Sequence, residues 1–329
     1  MWAQKLVAPA NFKLVEVAEP REDKLREGEV LLKVLAAGIC GSDLPHFAGK
    51  ISGSLASDSH RKASSVAGYP IHEVVGDVIA SRSMGISRND RVVGWASGTN
   101  ALAELVVADG AGVNVYPDKS LEPTQAIMIQ PLACVLFTLA QIGDVAGKRV
   151  AVLGQGPIGV LFSHAAKSAG ASHVVGVDRV LHQSAERDFG VDEFVHSSID
   201  RWATTLTDSE RPDIVIEAIG HQVGTLTDAI ESVAFGGTVY YFGVPDDPVY
   251  PISIHAMLRK NVTLISGYVT PPFRRRAIEV AARYLQQHPE LVGAYVTHVF
   301  DHTDTEKAFL RASSPTSEQH KVVIAMGSS

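Results

Sequence analysis

RVAVLGQGPIG, Arg149–Gly159, decides how this chain is read. Arg149–Leu153 is a short β-branched run of strand length, and Ile158–Ala169 has helical length and small residues, with Gly170 as its stop. Between them lies Gly154-Gln155-Gly156-Pro157-Ile158-Gly159. The first glycine permits the tight turn, the second lets the backbone approach a pyrophosphate, and the third allows close helix-on-strand packing. The phosphates would sit on the helix N-terminus, where unpaired N–H groups and the helix dipole favour negative charge. A next strand is expected at Val174–Val177, ending on Asp178, 24 residues after Gly154. Asp178 is placed to accept hydrogen bonds from the adenosine ribose hydroxyls, and its carboxylate repels a 2′-phosphate, which favours NAD over NADP. The adjacent Arg179 pulls the other way if it pairs with a 2′-phosphate; stacked on adenine or solvated at the surface, it does not.

Outward from this motif the same alternation continues. Asp213–Ala218 and Thr238–Phe242 read as strands, with a helix at Thr225–Val233 between them. Strands alternating with helices predict an α/β fold, a doubly wound parallel sheet covered on both faces. Upstream, short runs such as Val30–Leu35 and Glu73–Ile79, broken by Gly, Pro and Ser clusters, predict a β-rich domain. Gly49–Gly68 is polar, small and aperiodic, and is expected to be an exposed loop or lid. Downstream of Tyr268 a helix is expected near Ala277–Gln287 and a closing strand at Lys321–Ala325.

Composition limits the possibilities. At 329 residues the chain has the length of two domains, and 46% hydrophobic with 20% charged residues is an ordinary globular balance. Acidic residues number 36 against 29 Lys and Arg, and the only compact basic cluster is Arg274–Arg276, so no nucleic-acid partner is expected. The N-terminus lacks the apolar core of a signal peptide, and the longest apolar runs, such as Val239–Phe242, read as strand-sized, which argues against membrane insertion. Cys40 and Cys134, 94 positions apart, cannot form a disulfide framework or a four-thiolate metal lobe; a reducing, cytoplasmic setting fits them.

A second constellation lies in Gly38-Ile39-Cys40-Gly41-Ser42-Asp43 and Pro70-Ile71-His72-Glu73-Val74-Val75-Gly76. A thiolate, an imidazole and a carboxylate together suit a catalytic zinc with an open position, although a lone Cys or His is more often a packed or surface residue. With the dinucleotide motif behind these two, the chain resembles the medium-chain dehydrogenases of the zinc alcohol dehydrogenase type, nearest the polyol (sorbitol) and threonine dehydrogenase branch. GICGSD and HEVVGDV resemble the first and second metal motifs of that family, Gln130–Ala133 the third, Gly243-Val244-Pro245 a turn of the cofactor domain, and HKVVIAM its closing strand.

The resemblance implies a GroES-like catalytic domain, residues 1–131 and 268–329, around a Rossmann NAD-binding domain, residues 132–267. It places Cys40 and His72 as zinc ligands, Glu73 in or just behind the zinc shell, Asp43 behind His72, and Ser42 as the hydroxyl that relays the substrate proton. It implies that backbone near Val244 and around Gly267 and Tyr268 holds the nicotinamide carboxamide. It also implies a homodimer or homotetramer built on an edge strand near Val262–Ser266.

Several positions depart from the family pattern. Gln130 stands where the polyol branch has a glutamate, a neutral amide in a ligand position; Cys134, one turn on, is the spare thiol and otherwise a buried small residue. Ile71 replaces a glycine before the His-Glu pair, and the stretch Val93–Leu105 has no cysteines, so no structural zinc is expected. His46 comes one position after the family's relay histidine, with Pro45 in its place; it is a pocket or surface histidine, or the relay. Tyr69, Trp95 and Phe47 either line a substrate pocket or simply pack. The expected activity is zinc-dependent hydride transfer between a secondary alcohol, such as a polyol or cyclitol, and NAD. The alternatives are a zinc-free quinone or enoyl reductase of the same fold and a catalytically degenerate NAD-binding protein.

Overall fold

The computed structural model describes residues 1–50, 66–116, 118, 120–317 and 319–327. Most of the loop expected at Gly49–Gly68 lies outside the described residues. Contacts divide the chain into one unit of Met1–Ala133, Thr270–Ser314 and His320–Ser329 and a second of Cys134–Val269 and Pro315–Gln319.

The first unit opens on an antiparallel hairpin, β1 (Trp2–Ala8) and β2 (Asn11–Glu16). Its main sheet holds β3 (Glu29–Gly38), β4 (Glu73–Ser81), β5 (Arg91–Trp95), β6 (Leu105–Asp109), β7 (Val113–Val115), β14 (Val296–Asp301) and β15 (Lys321–Ala325). The order is β14-β15-β3-β4-β5-β7, with β6 paired to β3. Side chains alternate across a strand, so Val30, Leu32 and Val34 enter the main core with Val74, Val78 and Val106, while Leu31 packs with Leu25 and Ala80 in a smaller cluster. Phe47 lies in the main core, stacked on Phe12 and Phe309, so of its two expected roles it takes packing.

The second unit is a six-stranded parallel sheet: β8 (Arg149–Leu153), β9 (His173–Asp178), β10 (Glu193–His196), β11 (Ile214–Glu217), β12 (Thr238–Tyr241) and β13 (Thr263–Ser266), in the order β10-β9-β8-β11-β12-β13. Counted within the unit this is 3-2-1-4-5-6, the doubly wound order whose reversal point lies between β8 and β11. Ala151, Leu153, Val175, Val215 and Val239 pack against Trp202, Ile230 and Val233 on one face. The alternate residues Val150, Val152, Val174, Ile214 and Ile216 are buried as well, so both faces are covered.

Two expectations are corrected. The helix expected at Ala277–Gln287 runs over Pro271–Gln287, because tandem prolines are tolerated in a first turn, where no backbone donor is needed. Apolar stretches are not all strand-sized: Pro123–Ile142 is long and apolar enough to cross a membrane, but most of it is buried in the protein, as in a core helix. The Arg274–Arg276 cluster works inside the first unit. Arg275 donates to the Gly110 and Met84 carbonyls and to Ser83 Oγ, and Arg274 lies over the Trp95 ring at 4.9 Å.

Candidate metal centre and dinucleotide site

In the first unit β3 ends at Gly38 and the chain enters a single 3₁₀ turn, Gly41–Asp43, capped by Cys40. The Cys40 N–H donates to Asp43 Oδ2 at 2.9 Å, and the Cys40 sulfur accepts from the backbone of Asp43, so the turn holds the thiol and the carboxylate together. The other oxygen, Asp43 Oδ1, takes Nδ1 of His72 at 3.2 Å. With Nδ1 so engaged, Nε2 is the nitrogen left for a ligand. His72 is fixed along the backbone too, its carbonyl accepting the Ala96 N–H at 2.7 Å. Burial lowers the proton affinity of His72, but the Asp43 carboxylate and the Cys40 sulfur outweigh it and the net shift is upward.

Glu73 is the first residue of β4 and pairs with Gly38 across the sheet. A Cβ at Gly38 would stand 2.2 Å from Glu73 Oε2, so only glycine admits this carboxylate. Glu73 Oε1 accepts from Lys321 Nζ at 2.6 Å, and both side chains are about 1% exposed. Burial pushes the Glu73 carboxyl up and the Lys321 charge opposes it; the upward shift prevails.

Ligand atoms of Cys40, His72 and Glu73 all lie within 4.8 Å of one another, and Glu73 Oε2 is buried with no hydrogen-bond partner. A sulfur, an imidazole nitrogen and a carboxylate oxygen match zinc chemistry, and the orphaned oxygen is a group that a cation would satisfy. Gln130 is buried at the start of the helix Ile129–Ile142, whereas Cys134 belongs to the second unit. Ile71, in the usual glycine position, is fully buried core. Between β5 and β6 the chain runs through a turn at Ser97–Thr99, and the Leu102 carbonyl accepts the Gln4 N–H at 2.8 Å. Ser42 is half-buried in the middle of the 3₁₀ turn. His46 Nδ1 and the buried Tyr69 hydroxyl share a hydrogen bond, their rings edge to face. Trp95 and Tyr69 are both largely buried. A cavity of about 340 Å³ in this unit, between Tyr116, Leu121, Ile129, Leu285 and Val292, is lined by none of these groups.

In the second unit β8 ends in the glycine loop. Gly154 has φ +88°, and a Cβ at Gly159 would lie 1.7 Å from the Gly154 carbonyl oxygen, so helix and loop meet backbone to backbone. Gly156 caps the helix Pro157–Ser168, which has no side-chain cap; around Gly156 a Cβ would meet nothing within 4 Å. Pro157 and Ile158 open that helix, whose first-turn N–H groups have no partner within the helix. Asp178 closes the arrangement: Oδ2 accepts the Gln155 N–H at 2.6 Å and Oδ1 the Val180 N–H at 2.8 Å. A cavity of about 180 Å³ opens beside it, lined by Asp178, Arg179, Ser198, Asp200, Gln222 and Asp228 among others. Val244 is half-exposed and accepts the His221 N–H at 2.8 Å; Gly267 is exposed just after β13, next to the Tyr240 hydroxyl.

Sequence reading missed three groups. Lys321 looked like the polar start of a strand; Asp200 and Asp228 sit on helices with no motif around them. Glu217 is also buried, at the end of β11, and accepts the Gly220 N–H at 3.0 Å to hold the turn that forms a wall of the cavity.

A zinc-binding dehydrogenase family model matches residues 157–287, and an alcohol dehydrogenase GroES-like domain model matches residues 26–116. The chain is 24% identical to D-arabinitol dehydrogenase 1 of Uromyces fabae over 93% of its own length and 92% of that protein. It is 25% identical to sorbitol dehydrogenase of Bacillus subtilis, over 96% and 98% of the two chains. A dehydrogenase structure from Sinorhizobium meliloti 1021, bound to NADP, superposes with a TM-score of 0.76 at 22% identity and 99% coverage of both chains.

Proposed function

The chain belongs to the zinc-type medium-chain dehydrogenase family, near the sorbitol and threonine dehydrogenases, and is an oxidoreductase; from this premise we propose that it transfers hydride between a hydroxylated secondary alcohol and NAD. The observation that carries the reading is the convergence of Cys40, His72 and Glu73 within 4.8 Å, with Asp43 behind His72. A zinc-free reductase of the same fold would have no use for that set. Zinc, when bound, supplies a Lewis acid that lowers the pKa of an alcohol presented to it.

The chain's own residues do the rest. Cys40 and His72 bind the metal, and Glu73 supplies the anionic oxygen that the neutral amide of Gln130 cannot. Asp43 fixes the tautomer and direction of His72. Ser42 takes the proton leaving the alcohol, and His46, held by Tyr69, passes it on. Gly154, Gly156 and Gly159, with the helix N-terminus at Pro157 and Ile158, receive the pyrophosphate. Asp178 takes the ribose hydroxyls, and Asp200 and Asp228 in the same cavity add negative charge that opposes a 2′-phosphate, so NAD is the coenzyme despite Arg179. Backbone at Val244 and Gly267 holds the nicotinamide carboxamide.

Protein purified without chelator should contain one zinc per chain and oxidise members of a panel of polyols, cyclitols and amino alcohols with NAD in preference to NADP. Zinc-free protein with full turnover would refute the metal role. Nicotinamide binding without turnover on any substrate would make the protein a degenerate relative.

A further inference from the structure

We propose that Lys321 is a built-in counter-ion of the metal centre, which neutralises Glu73 in the metal-free protein and ties together the two chain segments that carry the ligands. The same ammonium donates to Glu73 Oε1 at 2.6 Å and to the Ile39 carbonyl at 2.8 Å. Ile39 directly precedes Cys40, and Glu73 directly follows His72. One side chain, 248 residues from Glu73 in sequence, therefore bridges the end of β3 and the start of β4 from the first position of β15. Gly38 makes this possible: a Cβ there would meet Glu73 Oε2 at 2.2 Å and Lys321 Cε at 3.1 Å.

The electrostatic argument follows from burial. Cys40, Asp43 and Glu73 gather three groups of negative charge capacity, and Glu73 and Asp43 are 1% and 2% exposed. A buried carboxylate without a partner is strongly destabilising, and metal-dependent folding is the usual result when only the metal supplies the compensating charge. Lys321 supplies one permanent positive charge and leaves Glu73 Oε2 without a protein partner. The unit then folds before metal arrives, with the site already assembled.

The proposal rests on reading Cys40, His72 and Glu73 as metal ligands, and its test separates the two. Thermal unfolding is measured on chelator-dialysed and on zinc-loaded protein for the wild type, Lys321→Met, Lys321→Arg and the double variant Glu73→Gln with Lys321→Met. Lys321→Met should lower the metal-free transition by about 10 °C, the effect of breaking a buried pair in a unit of this size, and zinc should restore more than half of the loss. Lys321→Arg should stay near the wild type, and the double variant should be more stable metal-free than Lys321→Met alone, because neither charge is then buried unpaired. An equal loss with and without zinc, or a double variant no more stable than the single, would overturn the proposal and leave Lys321 a packing residue. Should Lys321→Met fail to fold without metal, its recovery with zinc and the stability of the double variant decide the same question. A wild type that takes up no zinc overturns the metal reading, and the metal-free comparison still decides the counter-ion role.

Discussion

A methyl group is the smallest probe of the glycine loop, and Gly156 and Gly159 answer it differently. At Gly159 it would stand 1.7 Å from the Gly154 carbonyl oxygen, so loop and helix must separate; at Gly156 it would meet no protein atom within 4 Å. Gly159→Ala is expected to lose about 2 to 3 kcal/mol of stability, as overpacking does, together with NADH binding. Gly156→Ala should melt like the wild type and bind NADH at least about tenfold more weakly, since its methyl would meet no protein atom and would enter the space proposed for the pyrophosphate. Thermal unfolding and fluorescence titration with NADH check both; an unchanged NADH affinity in Gly156→Ala would move the pyrophosphate elsewhere. At the proposed metal centre, Cys40→Ala should remove zinc and reduce turnover by at least about a thousandfold, read by metal analysis and steady-state kinetics. The turn that these glycines make between a strand and a helix was legible in the sequence, because a tight turn and close helix-on-strand packing demand glycine at a fixed spacing. Lys321 was not, because nothing around it in sequence shows that its ammonium meets Glu73.

Elements were legible where a run is buried on one periodic pattern. β8 and β15 have the bounds read from Arg149–Leu153 and Lys321–Ala325, whereas β10 and the helix Ile199–Thr205 escaped notice because their exposed polar residues blur the period. How the elements are pinned is a tertiary matter. Lys167, in the last turn of the loop helix, reaches Asp192 ahead of β10 at 2.6 Å, and Asp192 also accepts the Val174 N–H of β9 at 2.8 Å. Burial alone would raise the Asp192 carboxyl, but Lys167 and that N–H hold it below its ordinary value of 3.8. A depressed carboxylate contributes stability that is complete above its unfolded value and lost as pH falls through the folded one. Asp192→Asn should therefore melt below the wild type at pH 6, by a modest amount because the pair is partly exposed, and the gap should close below about pH 4. A gap independent of pH would assign the effect to packing.

For the whole molecule, β13 is the edge of the parallel sheet, and the helix Ile254–Lys260 before it shows Ile254 and Leu258, 65% and 73% exposed. Among the described residues nothing pairs with the outer edge of β13, and a strand edge with exposed apolar side chains near it in sequence is a surface that association would cover. The chain is accordingly expected to be a dimer or tetramer in light scattering, and Ile254→Lys with Leu258→Lys to shift it toward monomer; an unshifted mass would place the interface elsewhere. The sequence by itself determined the parallel sheet, the β-rich character of the first hundred residues, and the residue types of the candidate metal and cofactor sites, since periodicity and short motifs act over a few neighbouring residues. Only the tertiary structure decided that Glu73 is tied to Lys321, that Asp200 and Asp228 join Asp178, that His46 meets Tyr69, and that Phe47 is core. Each of those pairings joins positions distant in the chain, and burial sets its energy, a quantity that exists only once the chain has closed around it.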